Sequence, residues 1–339
     1  MSNAQDVALT IAKESAYGTA VVTSRAFEFL QEGLTFRKKV NDSPAYRYGA
    51  RVKSSAGRTV VTSDAGGDVK FELGTRGFGL LWEAALGSST STQVGATTVY
   101  QQNHTIGDAL PSLTVQKVLP AIETDASFSD AAFTFDGAMV SSWTLEVPQA
   151  GAATLALSLD CRDVDTAVAA ATPVYPDDNH VLSFAGACLY TGTLTAPTAS
   201  APASATAPVA NVKAVTITSD NKLAGDATYY FCGGGKKGKP WKGSPAISGT
   251  LTVEFHADGP FVAAFLADTP MALLLNLAAV ENADEKVQVV LPEVFIDGDL
   301  PKAAGNPGVI ELSVPFVAYQ NADGDEPVTV VCRTYDTAL

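Results

Sequence analysis

Trp143-Thr-Leu-Glu-Val-Pro148-Gln-Ala-Gly151-Ala-Ala-Thr-Leu-Ala-Leu-Ser-Leu159 reads as a strand, a Pro-containing turn and a second strand. A similar sentence comes near the end of the chain: Val294-Phe-Ile-Asp-Gly-Asp-Leu-Pro301-Lys-Ala-Ala-Gly305-Asn-Pro-Gly-Val-Ile-Glu-Leu-Ser-Val314. Upstream of each lies a strand that runs into a short apolar helix. Asp68 to Leu73 precedes Phe78 to Leu86, and Thr250 to Phe255 precedes Phe261 to Leu266. Upstream of those strands sit loops rich in glycine and in lysine or arginine. The order basic loop, strand, helix, strands, hairpin therefore occurs twice, and a duplicated β-rich unit points to an assembly protein rather than an enzyme.

At 339 residues the chain exceeds the size at which one hydrophobic core usually stops growing. Two domains are expected: 1–170 and 171–339, with an Ala/Pro/Ser/Thr insert at 195–208. Hydrophobic residues make up 46%, ample for a core. Charged residues are only 17%, and frequent Thr, Val and Gly with closely spaced turn signals favour sheets. The net charge of −14 argues against ordinary DNA binding, which relies on Lys and Arg neutralising phosphates.

Along the chain, a strand or hairpin is expected at Ala26 to Lys39, and strands at Thr59 to Thr62, Asp68 to Leu73, Thr97 to Thr105, Ser112 to Leu119 and Ala132 to Val140. Phe78, Leu81, Trp82 and Ala85 recur at helical spacing and predict one apolar helix face, ended by Gly87. Asp165 to Pro176 reads as a linker. In the second half, strands are expected at Val181 to Leu194, Val212 to Thr218, Val287 to Leu291, Val294 to Asp297, Val309 to Tyr319 and Val328 to Arg333. The insert has almost no side chain able to bury area and reads as a flexible exposed loop. Asp258 is the expected N-cap of the second helix, with Pro260 in its first turn.

Chemical motifs are weak. Gly233 to Lys239 has the spacing of a phosphate-binding loop, but Pro240 stands where a hydroxyl should follow and no helix opens there. Cys161, Cys188, Cys232 and Cys332 lack metal or redox spacing and read as buried thiols. His104, His180 and His256 read as surface or half-buried side chains, and Asp323 to Glu326 as a hairpin tip rather than a calcium loop. Met1 to Ala20 lacks the pattern of a secretory signal, and Phe261 to Val280 is too interrupted to span a membrane. No catalytic, cofactor or metal site is expected.

With the elements in order, the chain resembles the major tail tube proteins of long-tailed, siphovirus-like bacteriophages over nearly its whole length. The resemblance is carried by Lys13 to Ala20, Gly77 to Gly87, Leu110 to Val115, Val215 to Asn221, Ser248 to Val253, Val290 to Pro292 and Gly305 to Val314. It implies an all-β sandwich flanked by one short helix per unit, whose subunits share a sheet around a ring and stack into a tube for genome passage. Related rings are hexagonal, so a subunit with two units would need three copies; a hexamer is the alternative. Partners implied are further copies of the chain, tail terminator, tape measure and tail tip proteins, and DNA in transit without specific binding. The expected place is the virion tail, after assembly in the host cytoplasm, with no membrane and no cofactor.

Closing strands into a ring also removes the exposed edges a β-rich chain presents. Strand-borne acids are the candidates for a wall that lets DNA slide: Glu28, Asp68, Glu72, Glu146, Glu254 and Glu311. Two basic loops, with Arg47, Arg51, Lys53 and Arg58 in one half and Lys236, Lys237, Lys239 and Lys242 in the other, are candidates for contacts between rings. The competing reading is a surface or secreted β-sandwich binding module of carbohydrate-binding or adhesin type. It would want a signal peptide and a row of exposed aromatics, and neither is visible in the sequence.

Overall fold

The computed structural model describes residues 6–49, 51–121, 130–224, 228–256, 259–300 and 310–337. The first half contains β1 (Ala8–Lys13), β2 (Arg25–Ala26), β3 (Phe29–Glu32), β4 (Thr35–Asp42), β5 (Arg58–Glu72), α1 (Gly79–Leu86), β6 (Gly87–Gln93), β7 (Tyr100–Ile106), β8 (Leu113–Leu119), β9 (Ala131–Val147), β10 (Thr154–Cys161) and β11 (Asp163–Asp165). The second contains β12 (Ala187–Thr195), β13 (Ser204–Pro208), β14 (Val212–Asp220), β15 (Ala246–Glu254), α2 (Pro260–Ala267), β16 (Met271–Ala278), β17 (Lys286–Ile296), β18 (Glu311–Tyr319) and β19 (Thr329–Thr334). The expected all-β class with short helices is what the chain adopts.

Every ladder between these strands is antiparallel. In the first half the neighbours run β1-β8-β9-β10-β5-β4. In the second they run β12-β16-β17-β18-β15-β14. The same β-bulge interrupts both series at the same place, between Leu113 and Val115 in one and between Met271 and Leu273 in the other. Bulges bend strands and fix register, so the two series have this irregularity in common as well as their pairing order. The two halves meet at two strand pairings: the C-terminal part of β9 with β14, Ser142 opposite Asp220 and Val147 opposite Val215, and β7 with β19, His104 opposite Val330 and Tyr100 opposite Thr334.

Alternation builds the core. On β10, Leu155, Leu157, Leu159 and Cys161 point inward while Thr154, Ala156, Ser158 and Asp160 point outward, as the period of two requires. Against the inner face lies α1, whose Trp82 meets Trp143 of β9 edge-on with ring centroids 5.3 Å apart. Every residue of α1 is buried, a correction to the one-sided face read from its spacing. Even Glu83 is enclosed, held by the Lys13 ammonium at 2.7 Å. Gly87 ends the helix at φ 106°, where an added Cβ would sit 2.7 Å from the Ala109 carbonyl oxygen.

The second helix differs. Pro260 occupies its first turn as expected, but the N-cap is Gly259; Asp258 lies outside the described residues, as does the Pro301 to Gly305 turn. Of α2 only Phe261 is buried, and Leu266 is 67% exposed.

Several other expectations are revised. The runs Ala132 to Val140 and Trp143 to Val147 form the single strand β9, bent at Gly137 with φ 60°. The insert 195–208 is not a free loop. Its β13 pairs with β12, Ala203 is buried beside Leu274, Val290 and Val331, and the Thr198 carbonyl accepts from Gln101 and Asn103. Small side chains let this backbone pack closely enough to use its own polar groups. Cys161 and Cys332 are buried, and burial pushes both thiols far up, but Cys188 and Cys232 are exposed.

His104 is fully buried on β7, with neither ring nitrogen hydrogen-bonded. Burial lowers its pKa to about 3. The unfolded chain protonates this histidine below about 6.5, so the stability from keeping it neutral is present above that pH and lost as pH falls toward 3. His104→Leu is expected to flatten the acid limb of stability by up to about 1.4 kcal/mol per pH unit. Urea unfolding at pH 7, 5.5 and 4.5 measures it; an unchanged slope would contradict the assignment.

Candidate functional site

The pairing of the central strands decides where the sequence-predicted acids fall. Residues directly opposite each other share a face of the sheet, as do residues two apart on a strand. Glu72 lies opposite Thr154, which lies opposite Glu146, which lies opposite Thr216, which lies opposite Thr250. Glu254 is two pleats on from Thr250 and lies opposite Glu311. Asp68 joins through Ser158 and Ser142, which lead to Asp220. All the candidate acids except Glu28 therefore stand on one face. Glu28 lies between β2 and β3, exposed beside Glu72.

This face crosses both halves without interruption and carries Thr and Ser between its charges, while the opposite face holds the core. Asp64, Asp160 and Asp220 belong to it too. Alternation in β10 puts Asp160 on the outward face, but only the register, with Asp160 opposite Gly66, sets it diagonally from Asp64.

Local cations temper the acids. Lys70 lies 3.2 Å from Glu146. Glu254 and Glu311, directly opposed, share Lys213 at 3.1 and 2.7 Å; hydrogen bonds to Glu311 and then Glu254 hold its ammonium above the usual lysine range. Like charges across a ladder repel, and Lys213 relieves that repulsion. Lys222 pairs with Asp220 at 2.5 Å, and its side-chain and backbone hydrogen bonds lower the carboxyl's pKa. Among the described residues Asp68 and Glu72 have no ion pair.

The two basic loops are placed differently. Arg47, Arg51 and Lys53 are exposed between β4 and β5, with Lys53 3.6 Å from Asp42. Arg58 opens β5, exposed and opposite Asp42. Tyr46 and Tyr48 of the same loop are fully exposed. In the other loop only Lys239 is exposed and without an ion pair among the described residues. Lys236 pairs with Asp163. Lys237 is buried and reaches Asp64 and Asp160, each at 2.5 Å. Burial opposes its charge, but hydrogen bonds to Asp160 and Asp64 overcome this and raise its pKa. Lys242 donates to the Gly107 carbonyl at 2.6 Å, and burial lowers its pKa. This loop therefore fastens the second half of the chain onto the first, and Gly235, whose carbonyl accepts from the Ser63 amide, is part of the seam.

The resemblance of Gly233 to Lys239 to a phosphate loop ends here, since the segment leads to β15 and its Lys237 is committed to carboxylates. His180 lies 2.8 Å from Glu285, which also takes Arg76 at 2.7 Å; the cluster ties Arg76 of the first half to the second. Among the described residues no group of side chains is arranged to hold a metal ion, and no helix is long and apolar enough to cross a membrane. What the arrangement offers is a broad polar wall of acids, Ser and Thr.

No curated protein matches the chain. A sequence model of the phage tail tube protein family matches residues 4–318. With strands throughout, an acidic hydroxyl-rich face spanning both halves and a family match over nearly its whole length, the chain belongs to the phage tail tube proteins, structural components of the virion tail.

Proposed function

We propose that the chain is a ring-forming subunit whose rings stack into the tail tube, a passive conduit for genome delivery. The observation that carries this reading is the uninterrupted polar, acidic face of the β5-β10-β9-β14-β15-β18 sheet. Duplex DNA carries a phosphate about every 1.7 Å of its axis. A wall rich in Lys and Arg would hold it by counterion release, whereas this face repels it weakly.

Residues 1–170 and 171–339 are read as tandem units on the strength of the shared pairing order and the shared bulge. Two units per chain favour three copies per ring with pseudo-sixfold symmetry. The exposed loop carrying Arg47, Arg51, Lys53 and Arg58, together with Lys239, is the part of the basic set available for contact between rings. Lys236, Lys237 and Lys242 first serve the seam within the chain. The reading includes assembly in the host cytoplasm, junctions with tail terminator, tape measure and tail tip proteins, and no catalytic role.

Negative-stain images of the purified protein test it. Rings or tubes with a central channel are expected. Monodisperse particles of single-chain size at all concentrations would count against it and favour a surface binding module.

A further inference from the structure

The loop that fastens the second half of the chain to the first sets a buried amine between two carboxyls. Lys237 Nζ lies 2.5 Å from Asp160 Oδ1 and 2.5 Å from Asp64 Oδ1. The Lys237 side chain is 8% exposed, that of Asp160 18% and that of Asp64 63%. Arg37, opposite Asp64 on β4, is the other charged residue lining this cavity, and Gly66 and Gly67 leave its floor free of side chains.

The backbone around the three residues is held from several directions. The Ser63 amide donates to the Gly235 carbonyl and the Gly238 amide to the Thr228 carbonyl. Tyr229, bridged to Lys237, donates its hydroxyl to the Ser63 carbonyl. From the first half, the Tyr17 hydroxyl donates to the Gly238 carbonyl. The lysine nitrogen is thus placed one bond away from a carboxyl carbon by the fold itself. Such placement supplies effective concentrations of about 10⁵–10⁸ M.

We propose that Lys237 Nζ and Asp160 Cγ join in an amide bond, an internal cross-link between the two halves of the chain, with Asp64 as the proton carrier. This goes beyond the tube reading and does not depend on it. The charges decide which carboxyl reacts. Two carboxylates around one ammonium leave a surplus negative charge, and charges withdrawn from water are costly. Bonding to Asp160 removes the two most buried charges and leaves Asp64, which solvent reaches. Bonding to Asp64 would leave the charge on the more buried Asp160.

The step balances without a co-reactant. The ammonium passes one proton to Asp160, giving a neutral amine and a neutral acid; burial favours this neutral pair, although the two carboxylates make the charged form the ground state. The nitrogen lone pair then forms the bond to Cγ, and Asp64 takes a second proton from that nitrogen as general base. Asp64 returns it to the hydroxyl of Asp160 as the C–O bond breaks. The products are the amide and one water.

Mass spectrometry of the full chain tests this. A digest of the folded protein should contain one pair of peptides joined through Lys237 and Asp160, lighter by one water than the two together. Lys237→Arg keeps a cation for both carboxylates but stays protonated, so both peptides should be separate and at full mass. Asp160→Asn should release ammonia in place of water and reach the same joined mass. Asp64→Asn, a change at an exposed position, should leave most chains unjoined, with circular dichroism like that of the unaltered protein. Separate peptides at full mass from the unaltered protein would overturn the cross-link. A pair joined through Asp64 would overturn the choice of Asp160, and an undiminished joined pair in Asp64→Asn would remove the proton carrier.

Discussion

Replacing Trp143 by alanine is expected to remove about 3–5 kcal/mol of stability, much of the roughly 5–15 kcal/mol that a domain has in total. Trp143 is 1% exposed and Trp82 not at all, and their edge-on contact joins β9 to α1 at the centre of the larger core. Trp143 also stands on the strand that pairs with β10 on one side and β14 on the other, opposite Leu157 and Ser219. A cavity here loosens the helix and the joint between the halves together. Neither indole nitrogen finds a hydrogen-bond partner, so Trp143→Phe should recover more than half of the loss, since apolar volume is what the site uses. Urea unfolding of the three proteins measures the effect. A loss below about 1 kcal/mol for the alanine variant would show that Trp143 is not at the structural centre.

The local elements that sequence could reveal were those whose side chains alternate cleanly or carry strong turn residues. β10, the Pro148 turn, α1 and its Gly87 terminus were legible because periodicity and a left-handed glycine are written into adjacent residues. β6 was not, because Gly-Ser-Ser-Thr-Ser-Thr-Gln has no apolar alternation; it forms by pairing with β7 along its whole length. β16 was hidden for the opposite reason. Its continuous Ala-Leu-Leu-Leu run, with Leu273, Leu274 and Leu275 all buried, fits a strand covered on both sides as well as a helix.

The acids of the candidate face could be named from their strands, but that Asp68, Glu72, Glu146, Glu254 and Glu311 share one face depends on ladders between residues far apart in sequence. Lys237 shows the same limit from the other side. Within a basic, glycine-rich loop it read as a candidate for contacts between rings, and only the approach of Asp64 and Asp160 explains why it is buried. His104 is buried because β7 lies between β6 and β19, a position that its local sequence does not encode.

If the acidic face lines the channel as proposed, lysines in place of Asp68 and Glu72 should turn it into a wall that binds DNA. Both residues are exposed and free of ion pairs among the described residues, so the exchange costs little folding energy, within about 0.5 kcal/mol for each surface site. In the proposed ring of three subunits the exchange adds six lysines, and stacked rings would repeat them along the duplex. Six or more phosphate contacts make affinity fall by about a thousandfold between 50 and 200 mM salt. Assembled variant tubes should therefore retain short linear duplexes in co-sedimentation at the lower salt and release them at the higher, while unaltered tubes retain them at neither. A covalently closed circle has no end to enter a tube. If the acidic face lines the channel, variant tubes should bind linear DNA and leave the circle in solution; equal binding of both would place Asp68 and Glu72 on the outer surface and remove the basis for a passive, acid-lined conduit.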